Sequence, residues 1–164
     1  MTAVLERTSR ALIAVTDALV ALIAGGFTCL LIIAVISRYV FDFSIVTGVE
    51  LTRIAFVWSC FLAAANAVAR ARHIRVTILR DLLPEGGVAA VNTFVRLITL
   101  AFATAMIWYG SQLCLKVLPT YFPALQISQV WLYLALPISG CLIAYHSLAQ
   151  LIGVTDTWET EKPA

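Results

Sequence analysis

Four long stretches of apolar residues, separated by short polar segments, follow one another along the chain. A helix needs about 20 mostly apolar residues to cross the ~30 Å hydrocarbon layer of a membrane. The pattern predicts four spans, at about residues 11–37, 49–69, 88–115 and 128–152. The last uncharged stretch begins earlier, at Val117, but it contains Pro119 and Pro123. Because proline breaks or kinks a helix, the fourth span is predicted to start after them.

The composition supports membrane insertion. Hydrophobic residues make up 62% of the 164 residues and charged residues 12%, whereas soluble domains have about 45–50% and about 25%. So few charges cannot form the polar surface of a soluble protein of this length. The sequence therefore predicts an all-α integral membrane protein, a single membrane domain over residues 1–164. It excludes a soluble enzyme, a secreted disulfide scaffold and a disordered protein. The first apolar run is too long for a signal peptide and no A-x-A site follows it, which predicts a retained helix.

The positions of the basic residues predict the orientation, because Lys and Arg favour the cytoplasmic side. Four spans put both termini on one side. If the termini are cytoplasmic, only Arg38 and Lys116 lie outside. Both termini and the 70–87 loop are therefore predicted to be cytoplasmic, and residues 38–48 and 116–127 periplasmic. Seven basic residues then lie on the cytoplasmic side: Arg7, Arg10, Arg70, Arg72, Arg75, Arg80 and Lys162.

Charged and polar residues within spans mark helix pairs or functional sites. Asp17 and Arg96 each lie about two turns from the predicted cytoplasmic end of their helix. They can pair with each other, reach the headgroups separately, or use other partners. Asn66 is predicted to join helices through its amide. Pro137 lacks the N–H that would bind the Tyr133 carbonyl, which predicts a kink in the fourth helix.

Glu50 and Arg53 stand three residues apart on one helical face, so they can pair locally. Glu50 could instead reach Arg38 at the neighbouring end of the first helix. A third reading places Glu50 on an ion or substrate path. A structural role is favoured, because a nearby arginine already balances this carboxylate.

The sequence predicts no catalytic, cofactor or metal site. Its four cysteines lie in apolar runs without a CxxC spacing, which is typical of free thiols. A membrane haem needs two ligands on facing helices, but His73 falls in the basic loop and His146 near the inner end of the last helix. No basic block suits nucleic acid. Interfacial aromatics and arginines predict contacts with phospholipid instead.

A set of short motifs resembles a known family in order and spacing over essentially the whole chain. The set includes Arg38, Tyr39, Glu50, Arg53 and the basic loop. The motifs are Arg38-Tyr39-Val40-Phe41, Glu50-Leu51-Thr52-Arg53, Val57-Trp58, Arg70-Ala71-Arg72-His73-Ile74-Arg75-Val76, Leu82-Leu83-Pro84 and Trp131-Leu132-Tyr133-Leu134-Ala135-Leu136-Pro137. They resemble the small membrane subunit of TRAP (tripartite ATP-independent periplasmic) transporters, the DctQ-like family.

The resemblance implies a non-catalytic scaffold in a bacterial or archaeal inner membrane, crossing it several times. It implies two partners, a large membrane subunit and a periplasmic substrate-binding protein. It further implies a sodium-coupled secondary transporter that imports organic acids. The residues agree, because the chain has no inverted repeat and no pair of broken helices of the kind that forms carrier sites. Two other hypotheses remain open: the membrane anchor of a respiratory redox enzyme, and a self-sufficient small transporter working as an oligomer.

Overall fold

The computed structural model of the chain describes residues 2–70 and 85–151. Its helices are α1 (Thr2–Val40), α2 (Val46–Arg70), α3 (Glu85–Val117), α4 (Val130–Tyr133) and α5 (Ala135–Leu151). The described residues contain no β-strand beyond one isolated bridge. Most of the predicted 70–87 loop, with Arg72, His73, Arg75 and Arg80, lies outside the described residues.

Four helical stretches in the described residues are long and apolar enough to cross a membrane. They are Arg7–Val40, Val46–Arg70, Thr93–Val117 and Val130–Ala149, the last formed by α4 and α5 together. This confirms the prediction of an all-α protein with four membrane-spanning helices. The α1 helix has 39 residues and is about 58 Å long at 1.5 Å per residue. It therefore exceeds the hydrocarbon layer and must extend beyond it or tilt.

The helices pack in the order α1, α2, α5, α3, so that α2 and α5 form the centre. The short α4 helix contacts both α2 and α3. The outer position of α1 leaves its most apolar stretch with no buried residue, whereas 44% of the corresponding stretch of the fourth span is buried. Much of the surface of α1 is therefore available to lipid or to another protein.

Small residues allow α3 and α5 to approach closely. Ala65 of α2, Ala103 of α3 and Ile143 of α5 form the buried core. A Cβ added at Gly140 would lie 3.0 Å from Ile107 and 3.2 Å from the Ala103 carbonyl oxygen. The backbone of α5 therefore packs directly on α3, and a larger residue at this position would separate the two helices.

The fourth span is interrupted at Leu134, between α4 and α5. Pro137 has no N–H to donate to the carbonyl of Tyr133, the last residue of α4. The neighbouring bonds persist, since Leu134 donates to the Val130 carbonyl at 2.9 Å and Ile138 to the Leu134 carbonyl at 3.3 Å. The interruption therefore lies where the sequence predicts a missing hydrogen bond.

Residues 118–129 form an ordered loop between α3 and α4. Phe122 donates its N–H to the Ile127 carbonyl at 2.9 Å, and Gln129 donates to the Thr120 carbonyl at 2.8 Å. Gln126 has a positive φ of 55°, which lets the chain reverse between Phe122 and Ile127. Internal backbone pairing gives this loop a defined shape.

Candidate functional site

Asp17 of α1 is held by two side chains of α2. Its Oδ1 accepts a hydrogen bond of 2.8 Å from the amide of Asn66, and its Oδ2 forms an ion pair with Arg70. Among the alternatives for Asp17, a pair with Arg96 is therefore wrong. The physical reason is the helix order, because α2 packs on α1 whereas α3 packs on α5. Arg96 instead contributes its backbone carbonyl, which accepts a hydrogen bond of 3.1 Å from Ser147 of α5.

Asn66 is the buried centre of this cluster. Its side chain is 4% exposed, and its Oδ1 accepts a hydrogen bond of 2.6 Å from the Thr16 hydroxyl. Both ends of the amide are thus satisfied by adjacent residues of α1, Thr16 and Asp17. Interhelical bonds of this kind stabilise membrane helices by ~0.6–2 kcal/mol. The cluster joins α1 to α2, and its one acid is already neutralised.

Glu50 binds the 118–129 loop rather than an arginine. Its carboxylate accepts N–H groups from Ala124, at 3.1 and 3.2 Å, and from Leu125, at 2.8 Å. Both residues are described, and no salt bridge joins Glu50 to Arg53 or to Arg38. Neither of the two alternatives for Glu50, a pair with Arg53 or a pair with Arg38, therefore occurs. The half-buried carboxylate turns toward unpaired backbone N–H groups of the loop, which need an acceptor.

The other predicted positions near this end are exposed. Arg38 and Tyr39 lie in the last turn of α1, and Tyr39 is 80% exposed. Arg53 is exposed on α2. Beyond α1, Asp42 takes a positive φ of 52°, and Phe43 donates its N–H to the Ser37 carbonyl at 3.1 Å. This left-handed residue ends α1 and turns the chain toward α2.

His146 belongs to a contact between α5 and α1. It is 3% exposed, and its Nδ1 lies 3.4 Å from the Ser9 hydroxyl. Tyr145 beside it bonds Thr8 at 2.9 Å through the two hydroxyl groups. The described residues contain no group of three or more His, Cys, Asp or Glu side chains that could hold a metal ion. The polar groups of Tyr145 and His146 join α5 to α1.

Several contributors carry no clear sequence signal. The N–H groups of Ala124 and Leu125 are backbone groups, so residue type does not reveal them. Trp58, whose indole N–H donates to the Trp131 carbonyl at 2.7 Å, reads as an interfacial aromatic. Thr16 could have been found, because a hydroxyl beside Asp17 in an apolar helix suggests a shared partner. The contacts described here join the helices to one another and to a loop.

Comparison with known proteins identifies relatives of the chain. Residues 27–157 match the family described as tripartite ATP-independent periplasmic transporters, DctQ component. The chain is 26% identical over 105 residues to the sialic acid TRAP transporter small permease protein SiaQ of Vibrio cholerae, a match covering 64% of this chain and 61% of the relative. It is 29% identical over 126 residues to a putative TRAP transporter small permease protein of Haemophilus influenzae, covering 75% and 76%.

A third relative is much longer. The chain is 34% identical over 107 residues to the isethionate TRAP transporter permease protein DctMQ of Oleidesulfovibrio alaskensis. This match covers 63% of the chain but only 17% of the relative. In that protein the similar segment is therefore part of a larger permease polypeptide.

Proposed function

The chain belongs to the DctQ component family of TRAP transporters, and from this premise we propose that it is a non-catalytic scaffold subunit. It holds the large carrier subunit in the bilayer while that subunit moves substrate. The family is a transporter component, which confirms a non-enzymatic protein that crosses the inner membrane several times. The observation that supports a scaffold is how the polar groups are used. Asp17, Asn66 and Glu50 are committed to contacts between parts of the chain.

Association with the large subunit is supported by the DctMQ relative. There, a segment similar to this chain is covalently part of a much longer permease. A lasting contact between the two parts explains why they can occur in one polypeptide. The chain would enlarge the immobile part of the complex, anchored by aromatics and arginines at the membrane interface and by contacts with phospholipid.

The proposed orientation follows the basic residues. Both termini and residues 70–87 are cytoplasmic, and residues 38–48 and 116–127 are periplasmic. The spans remain those predicted, at about 11–37, 49–69, 88–115 and 128–152. The two periplasmic segments would lie close to the docked substrate-binding protein. The ordered 118–129 loop, tied to Glu50, offers that partner a surface of defined shape.

The proposed transport reaction is sodium-coupled import of an organic acid delivered by the binding protein. Two relatives are named for acids or their anions, sialic acid and isethionate. The residues that contact the substrate would lie in the other subunits, since Asp17, Asn66 and Glu50 are engaged in contacts within this chain.

Reconstitution tests the proposal. Proteoliposomes that contain the large subunit and this chain, with the binding protein added, should take up substrate when a sodium gradient is applied. Omission of this chain should abolish uptake, and the chain alone should give none. Uptake by the chain alone would support a self-sufficient transporter, and a Soret band in the purified protein would support a redox anchor. Either result contradicts the scaffold proposal.

A further inference from the structure

The fourth span lacks helix hydrogen bonds where α4 meets α5, and Pro137 does not explain all of them. It has no N–H to give to the Tyr133 carbonyl, which accounts for one missing bond. Another missing bond is the one from the Ala135 N–H to the Trp131 carbonyl, which does not occur among the described residues. A proline at position 137 leaves the N–H of residue 135 in place. This second gap therefore needs another cause.

The Trp131 carbonyl is engaged from a different direction. The indole N–H of Trp58 on α2 donates to it at 2.7 Å. A carbonyl oxygen can accept two donors, but the Ala135 N–H does not bond to this one. A side chain that inserts into the hydrogen-bond ladder of a helix is a known cause of kinks. The Trp58 indole thus occupies the acceptor that the Ala135 N–H would use in a continuous helix.

The gap is unfavourable in itself, although the backbone is nearly ready to close it. Ala135 is fully buried, at 0% exposure, and a buried N–H without an acceptor is costly. Leu134, between the two helices, is itself helical, with φ −58° and ψ −23°, so a small adjustment would restore the bond. A contact from outside the fourth span must therefore keep the gap open. The hydrogen bond from Trp58 acts on the atom concerned.

A second side chain of α2 holds the same segment. We define the α4 cap as residues 118–133, which comprise the ordered loop and α4. Trp58 binds the cap at the Trp131 carbonyl, and Glu50 binds it at two backbone N–H groups of the loop. Glu50 and Trp58 are eight residues apart, which places them on one side of α2, about 12 Å apart along its axis. The cap is therefore attached to α2 at two points.

Beyond the gap, the fourth span rests on α3. A Cβ added at Gly110 of α3 would lie 3.0 Å from the Pro137 ring and 3.1 Å from the Leu136 Cβ. A Cβ added at Gly140 would lie 3.2 Å from the Ala103 carbonyl oxygen. The first turns of α5 therefore pack against the α3 backbone, whereas the cap is bound by α2 side chains. The gap falls between these two segments.

We propose that Trp58 is a positioning residue that keeps the fourth span divided at Leu134 and fastens the α4 cap to α2. Pro137 weakens the span, and the indole hydrogen bond decides where it opens. The position of the cap is then set by α2, and the start of α5 is released from it. Leu134 becomes a hinge, which closes when the Trp131 carbonyl accepts the Ala135 N–H.

Hydrogen exchange at the Ala135 amide tests this in the full chain in mixed micelles. Trp58→Phe keeps an aromatic ring and removes the indole N–H. The freed carbonyl should accept the Ala135 N–H, so exchange at this amide should become slower by about tenfold or more. The control is Trp108→Phe, which removes an indole from a position of α3 that is 65% exposed. It should leave exchange at Ala135 unchanged.

The direction of the change separates positioning from general stabilisation. If Trp58 merely stabilised this end of the molecule, its loss would promote local opening and exchange at Ala135 would become faster. Faster or unchanged exchange in Trp58→Phe would overturn the proposal. Equal slowing in Trp108→Phe would do so as well, since that indole does not belong to α2.

Pro137→Ala separates the two causes of the interruption while Trp58 stays in place. The new N–H at position 137 should bond to the Tyr133 carbonyl and exchange slowly, whereas the Ala135 amide should exchange as in the wild type. Protection of Ala135 in this variant would assign the whole interruption to the proline and contradict the role of Trp58. Combining Pro137→Ala with Trp58→Phe should protect both amides, as in a continuous helix.

Discussion

At the scale of residues, the intramembrane charges have different partners from those that sequence spacing suggests. Asp17 pairs with Arg70 across two helices, although Arg96 lies at a similar predicted depth. Glu50 and Arg53 are three residues apart, yet they share no salt bridge. Spacing along one helix shows which residues share a face, but it does not show which neighbouring element approaches that face.

The Asp17–Arg70 ion pair predicts coupled effects of substitution. Asp17→Asn keeps an acceptor for Asn66, and Arg70→Gln removes the positive charge. In a double-mutant cycle on the free energy of unfolding in mixed micelles, the two changes should couple by about 0.5 kcal/mol or more. The coupling should lie at the low end because both side chains are partly exposed.

Glu50 and Arg53 supply the control for that cycle. Glu50→Gln and Arg53→Gln should add within about 0.3 kcal/mol, since the two side chains do not contact each other. Coupling of Glu50 to Arg53 as large as that of Asp17 to Arg70 would contradict the contacts described above.

A substitution at Glu50 should loosen the 118–129 loop. Glu50→Ala leaves the N–H groups of Ala124 and Leu125 without their acceptor. An unsatisfied buried group costs about 1–3 kcal/mol, and the cost here should lie at or below the low end because both residues are only partly buried. Hydrogen exchange at these two amides should become faster, and the free energy of unfolding should fall. Glu50→Gln keeps one carbonyl oxygen and should give an intermediate effect. Unchanged exchange in Glu50→Ala would show that the carboxylate does not hold the loop.

At the scale of elements, close packing and proline determine the fourth span. Pro137 removes one helix bond, and the span divides into α4 and α5 at Leu134. Gly110 lies directly against this region, since a Cβ there would be 3.0 Å from the Pro137 ring. The interruption and the α3 contact therefore occur at the same level of the molecule.

Two glycine substitutions should have different effects on stability. Gly140→Ala places a methyl group 3.0 Å from Ile107 and 3.2 Å from Met106, which should destabilise the chain by about 1–3 kcal/mol through overpacking. Gly26→Ala meets open space and gains helix propensity, so it should be neutral or stabilising by up to about 1 kcal/mol. Unfolding in mixed micelles measures both. Equal effects would contradict the close α3–α5 contact.

At the scale of the whole molecule, the helices lie in a row, which places α1 and α3 on opposite sides. The α2 and α5 helices occupy the centre of the row, and the buried core lies where residues of α2, α3 and α5 meet. The polar contacts of Asp17, Asn66 and Ser9 hold α1 in place at one end of its length. An array of helices with one outer helix widely exposed suits a protein that binds a larger partner within the bilayer.

The orientation of this array makes a direct prediction. Thr120 is exposed in the 118–129 loop and should be periplasmic under the distribution of basic residues. In a background with Cys29, Cys60, Cys114 and Cys141 replaced, Thr120→Cys should react with an impermeant maleimide on spheroplasts. A fluorescent protein fused to the C-terminus should fluoresce, as expected in the cytoplasm. Labelling only after lysis would reverse the proposed topology.

The sequence by itself determined the class of the protein. The long apolar runs and the excess of apolar residues predict four spans, because membrane insertion depends on local composition. The ordered motifs predict the family. The interruption before Pro137 was also predictable, since a missing N–H acts locally.

Only the tertiary structure decided how the polar groups are used. The Asp17–Arg70 pair and the hold of Glu50 on residues 124 and 125 join positions 53 and about 75 residues apart. These contacts depend on which helices become neighbours and on backbone N–H groups that every residue type shares. The same reason explains Gly25 and Gly140, which are alike in the sequence. Only the packed helices distinguish a glycine that fills an internal contact from one that faces open space.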